Sequence, residues 1–103
     1  MGYFFMRRDE ALAKLSSMEQ ALRREGVSHL YLFGSVARDE ATVGSDVEVA
    51  FGLAPDADFD AFDQGQIYLD IADALGTRLD LVERRTFSSG MARRIEADLI
   101  WVF

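Results

Sequence analysis

The chain has 103 residues, half of them hydrophobic, and a formal net charge of −7, which predicts one domain with one core over residues 1–103. The acidic balance argues against an extended groove that tracks a nucleic-acid backbone, because such a groove needs clustered Lys and Arg. The chain has no cysteine and one histidine, which excludes disulfides, thiolate metal sites and a multi-His zinc site within one chain.

The opening MGYFFMRR offers an apolar patch too short for a secretory h-region. No apolar run reaches the roughly 20 residues that span a membrane, so a soluble, cytoplasmic protein is expected. Asp9 to about Arg24 reads as one amphipathic helix with Leu12, Leu15, Met18 and Leu22 along one side, stopped by Gly26. His29 to Phe33 reads as a strand apolar on both faces, hence central. Val36 to about Glu40 begins a short helix, and Asp46 to Phe51 is a second strand. After a loop marked by Gly52 and Pro55, Asp58 to Leu75 is a long helix built on Phe59, Phe62, Ile67, Ile71 and Leu75, ended by Gly76. Arg78 to Val82 is a third strand. Ser88 or Ser89 caps a helix running to about Ala97. The tail from Leu99 to Phe103 is an edge strand or the end of that helix. The order α-β-α-β-α-β-α predicts an α/β fold, a small central sheet flanked by helices. Strand order and pairing sense stay open.

Side chains alternate faces along a strand. Asp46 and Glu48 therefore share one face, with Val47, Val49 and Phe51 on the other. Asp80 stands opposite Leu79 and Leu81 in the same way. If the two strands are in-register neighbours, three carboxylates converge. Unit charges about 4 Å apart repel by roughly 4 kcal/mol at an effective dielectric near 20. A hard divalent cation with oxygen ligands would compensate. Upstream, Gly34 ends a strand that feeds a short helix. Its backbone can approach a ligand closely, the N–H groups that follow suit a phosphate, and Ser35 and Arg38 add a donor and a charge.

Gly34-Ser35, ten residues, then Asp46-x-Glu48 resembles the G-S-x10-D-x-D signature of the nucleotidyltransferase superfamily that includes DNA polymerase β. The small size and the run GSVARDEATVGSD resemble its minimal nucleotidyltransferase branch. The resemblance implies the polymerase β-like fold with a small mixed sheet. It implies Gly34, Ser35 and Arg38 as nucleotide-binding residues, and Asp46, Glu48 and Asp80 as catalytic and metal-binding residues. Mg²⁺, or Mn²⁺, would be the cofactor and ATP the substrate. It also implies an antitoxin that moves AMP to a hydroxyl of a small helical HEPN-type partner. The sequence departs from the pattern at Glu48, one methylene longer than Asp, and at Asp39, where the family often has Gly. A degenerate domain that neutralises its partner by binding alone is the alternative, and modification of a small molecule is a third. Homo-oligomerisation is left open.

Asp56, Asp58 and Asp60 resemble the start of a calcium loop, but Ala61 and Ile67 occupy the positions that need Gly and Glu. Acids leading into a helix are the simpler account. Arg84 and Arg85 read as a solvated turn and His29 as structural or exposed. Trp101 and Phe103, like Tyr3, Phe4 and Phe5 at the other end, read either as residues that close the core or as an apolar patch for a partner, with the second slightly favoured for the tail.

Overall fold

The structure is a computed structural model and describes residues 5–103; Tyr3 and Phe4 lie outside that range. The elements are α1 (Arg8–Ser16), α2 (Glu19–Arg24), β1 (Val27–Phe33), α3 (Gly34–Ala37), β2 (Val47–Leu53), α4 (Ala61–Leu75), β3 (Leu79–Glu83), α5 (Ser89–Glu96) and β4 (Ile100–Trp101), with a 3-10 turn at Arg84–Thr86. The helix expected from Asp9 to Arg24 is two helices. The Ser17 hydroxyl donates to the Lys14 carbonyl at 2.6 Å, a local bond that competes with helix continuation. The break lets α1 pack on α4 while α2 packs on β1.

The long helix begins at Ala61, not Asp58, because Asp60 is its cap. The Asp60 carboxylate accepts from the Asp63 N–H at 3.0 Å, and the Asp63 carboxylate accepts from the Asp60 N–H at 2.9 Å. This reciprocal pair satisfies two otherwise orphaned donors. Gly76 closes α4 in the left-handed conformation, φ +70°, which glycine adopts without strain. Ser88 caps α5 by accepting from the Met91 N–H at 3.1 Å. The last strand, β4, is an edge strand.

The sheet is mixed, in the order β3-β2-β1-β4. β1 pairs antiparallel with β2 and with β4, and β2 pairs parallel with β3. β1 is thus central, as its two apolar faces require. The parallel pair needs a crossover, which α4 supplies. One sheet face carries Leu30, Leu32, Val47, Val49 and Phe51, buried against Leu15, Leu22, Ile67, Ile71 and Leu75 of the helices. The other face holds a smaller cluster of Tyr31, Phe33 and Ala50, with Val82, Phe87, Ile95 and Leu99 packed on it. One face is therefore sealed, and the other is covered only in part by α5 and the turn before it.

The terminal aromatics divide. Phe103 is 6% exposed and belongs to the main core, whereas Trp101 is 62% exposed on the edge strand. Trp101 meets His29 and Tyr31 edge-on, at centroid distances of 4.7 and 5.6 Å. Phe103→Ala is expected to lose about 3–5 kcal/mol of stability, and Trp101→Ala about 1 kcal/mol, the worth of its aromatic contacts. Urea denaturation of the two variants measures both.

Candidate active site

The register of β2 builds the site. Glu48 pairs with Phe33 of β1 on one side and with Asp80 of β3 on the other. The three side chains therefore stand in one row on the partly covered face. Gly34 follows Phe33 directly and opens α3 with φ +78°. A Cβ placed at Gly34 would fall on the Glu48 carboxylate, so glycine is required here by backbone conformation and by space. The carboxylate also faces the Ser35 N–H. Glu48 thus lies across the backbone assigned to a phosphate by resemblance, within reach of its extra methylene.

Burial, then the neighbouring Asp80 charge, hold the Glu48 carboxyl above the ordinary carboxylate range. The Ser35 N–H and Arg38 pull it partly back, and Asp46 adds a smaller push upward. Asp46 precedes β2 rather than belonging to it. Its carboxylate pairs with the Arg78 guanidinium at 3.1 Å, and both side chains are largely in solvent. Arg78 also donates to the Gly44 carbonyl. Among the described residues, no three His, Cys, Asp or Glu side chains are grouped to hold a metal ion. Glu48 and Asp80 are brought together, while Asp46 is turned aside by Arg78.

Arg38 sits at the pocket rim, bonded to Asp98 at 2.7 Å and to Glu40 at 3.2 Å. These bonds, Asp98 first, raise its already high pKa further. Asp39 adopts φ +61°, the one left-handed non-glycine among the described residues. That conformation is one that glycine adopts without strain. The Asp39 carboxylate accepts from the Arg8 N–H at 3.3 Å, so its charge is directed at α1.

Some of these residues line a pocket of about 390 Å³, bounded by Gly34, Arg38, Glu48, Asp80 and Asp98 on its polar side and by Phe33, Val82, Phe87, Met91 and Ile95 on the other. Sequence reasoning missed Asp98 and the apolar wall. Met91, Ile95 and Asp98 follow helical spacing, and that periodicity was the available signal. What it lacked was the surface the stripe would face. His29 packs beside Trp101 and is not among the pocket's lining residues. Arg84 lies over the Tyr31 ring at 4.7 Å.

A mixed sheet, a glycine turn after the central strand and paired carboxylates on the next two strands frame this pocket. Residues 17–103 match the family model described as "Polymerase beta, Nucleotidyltransferase". The chain belongs to the polymerase-β nucleotidyltransferase family. It is 30% identical over 95 residues to the protein adenylyltransferase MntA of Thermococcus cleftensis, covering 91% of this chain and 94% of that one. A solved structure provisionally described as a minimal nucleotidyltransferase superposes with a TM-score of 0.77 at 24% identity, covering 92% of this chain and 95% of that one. A structure of a tri-AMPylated HEPN toxin from Shewanella oneidensis, in complex with an MNT antitoxin, gives a TM-score of 0.64 at 20% identity, covering 90% and 71%. These likenesses carry the fold, and the expected polymerase β-like architecture is the one found. No helix among the described residues is long and apolar enough to cross a membrane.

The raised Glu48 pKa has a consequence for stability. Its native value lies above its unfolded one, so between the two the native state binds more protons. Stability therefore falls as pH rises through that window. Glu48→Gln keeps an oxygen for the Ser35 N–H and removes the charge. The variant is expected to melt with the native protein at acidic pH and above it at pH near 7. Thermal unfolding across that range, without divalent ions, checks the crossing.

Proposed function

We propose that the chain is a Mg²⁺-dependent nucleotidyltransferase that moves AMP from ATP to a hydroxyl of a small helical HEPN-type partner. It would serve as the antitoxin of such a pair, acting in the cytoplasm. The observation that carries this reading is the row of Phe33, Glu48 and Asp80 beside Gly34, in a pocket whose far wall is apolar. The adenylyltransferase relative and the likeness to the toxin–antitoxin complex support it.

The donor set suits a hard cation. Carboxylate oxygens are what Mg²⁺ and Mn²⁺ prefer, and the Glu48 carboxyl, raised first by burial and then by the Asp80 charge, is a group whose ionised form a cation would favour. Asp46 is free to join at small cost, because an ion pair as exposed as Asp46–Arg78 is worth at most about 1 kcal/mol. Asp46, Glu48 and Asp80 would hold the ion, which would offset triphosphate charge and favour loss of the acceptor's proton. The Gly34 and Ser35 N–H groups and the Arg38 guanidinium would bind phosphate oxygens, with Glu48 withdrawn from the turn. Phe87, Met91 and Ile95 would cover the base and ribose. The acceptor oxygen attacks the α-phosphorus, the bond from that phosphorus to the β-bridging oxygen breaks, and pyrophosphate departs. The hydroxyl proton passes to Asp80. Positioning and charge neutralisation provide most of the rate in such transfers.

A second reading has its own observation. Glu48 fills the space over Gly34 and Asp46 is engaged by Arg78, which fits a degenerate domain that neutralises its partner by binding alone.

Incubation with labelled ATP, Mg²⁺ and a candidate helical HEPN-type partner separates the two. The enzyme reading expects covalent label on the partner, lost by about a hundredfold or more in Asp80→Asn. It also expects Glu48→Asp to change the rate and Glu48→Ala to abolish transfer. No label with any nucleoside triphosphate, with partner affinity unchanged by Glu48→Ala, favours the binder. Arg78→Gln is expected to strengthen Mn²⁺ binding in calorimetry, since it frees Asp46. Unchanged Mn²⁺ affinity in Asp46→Asn would mean that Asp46 is not a ligand.

A further inference from the structure

The outward face of α4 carries an apolar stripe that the pocket does not use. Successive residues advance by about 100° around a helix. Ile67, Ile71 and Leu75 point into the core and are fully buried. Phe62 and Leu69, seven positions apart, point the opposite way and are 88% and 62% exposed. Tyr68 continues the stripe on one flank. Gly65 lies between Phe62 and Leu69 with open space where a Cβ would be. A glycine inside a helix costs about 0.5–1 kcal/mol relative to alanine. Here it creates a notch that lets another backbone approach closely.

Charge identifies what would fill the notch. From residue 39 to residue 77 the chain has no Lys, Arg or His, yet it holds ten of the 18 acidic residues. Asp63, Asp70 and Asp73 rim the stripe along one flank of α4. Among the described residues, no aspartate from Asp56 to Asp73 has a basic partner within ion-pair distance. The field is felt nearby: the Glu25 carboxyl is raised first by burial and then by Asp70 and Asp63. A second copy of this helix would set like charges against like. An anionic lipid surface is disfavoured for the same reason.

We propose that Phe62, Gly65 and Leu69 of α4 form a docking surface for a helix of another protein, one whose apolar stripe is flanked by Lys and Arg. Apolar anchors spaced along one helix face, with charge at the rim to fix orientation and speed encounter, are a known recognition mode. The surface lies behind the sheet, on the side away from Glu48 and Asp80. It stands whether or not nucleotide transfer occurs.

Fluorescence anisotropy tests it with three labelled 18-residue helical peptides and the full chain. One has a leucine stripe flanked by lysines, one the same stripe flanked by glutamates, and one the lysine composition with the stripe scrambled. The striped lysine peptide is expected to bind at physiological salt at least tenfold more tightly than either of the others. Gly65→Lys fills the notch and adds a repelling charge, and by helix propensity it leaves the melting temperature unchanged or higher. It is expected to weaken binding tenfold or more, as is Phe62→Ser with Leu69→Ser. Trp101→Ala, on the opposite sheet face, is expected to leave binding intact. Equal binding of the scrambled peptide, no binding of the striped lysine peptide, or full binding by Gly65→Lys each overturns the proposal. So does sedimentation showing a dimer that Gly65→Lys converts to monomer, since the stripe would then be covered by a second copy. Loss of label transfer in Asp80→Asn, with peptide binding unchanged, separates this surface from the pocket.

Discussion

The register of β2 between β1 and β3 is the constraint on which the rest depends. Val47, Val49 and Phe51 are fully buried against the helices, so the strand cannot slip by one residue without turning them out. That hydrophobic requirement leaves Glu48 no choice of face. The same pairing sets it opposite Asp80 in β3 and Phe33 in β1. The polar row is thus placed by apolar packing on the other side of the sheet. The carboxylates themselves repel, and they are tolerated because roughly a dozen buried aliphatic and aromatic side chains fix the strands that carry them.

Uneven helix coverage turns this row into a pocket. Residues of α1, α2, α3 and α4 seal one face, and on the other α5 covers Tyr31, Phe33 and Ala50 only in part. The uncovered strip lies where β1 runs into the Gly34 turn. A conformational requirement and a steric one coincide at Gly34, whose positive φ and missing Cβ admit the Glu48 carboxylate. Asp39 shows the same kind of requirement met differently, by a residue that tolerates the left-handed region and bonds to the backbone of α1. The charge it brings to the turn is thereby spent on the fold.

Charge is segregated along the chain as well as in the pocket. The Lys and Arg residues lie before residue 39 and after residue 77. Arg38 and Arg78, at the two boundaries, reach acids around the site, namely Glu40 and Asp98 for the first and Asp46 for the second. Between them lies the acidic segment that includes α4. Arg38 thus ties the rim of the pocket and Arg78 holds Asp46 outside it, while α4, among the described residues, has no such compensation and presents bare negative charge around Phe62 and Leu69.

The sequence by itself determined the elements, the faces of β2 and β3, and the candidate residues of the turn and the strands. Period-two and period-3.6 patterns report burial directly, and Gly34, Gly76 and Ser88 are local signals whose meaning needs no partner. It did not determine that the helix after Asp9 breaks at Ser17, since a side-chain bond to Lys14 competes there with an otherwise continuous apolar pattern. Nor did it distinguish Phe103, which closes the core, from Trp101, which stands in solvent two residues away. Only the tertiary structure decided the strand order, the pairing of Glu48 with Asp80, the diversion of Asp46 to Arg78 and the arrival of Asp98 beside Arg38. Each of these depends on which segments distant in the chain become neighbours. Local pattern shows how a residue is buried, and the packing of whole elements against one another decides what it meets.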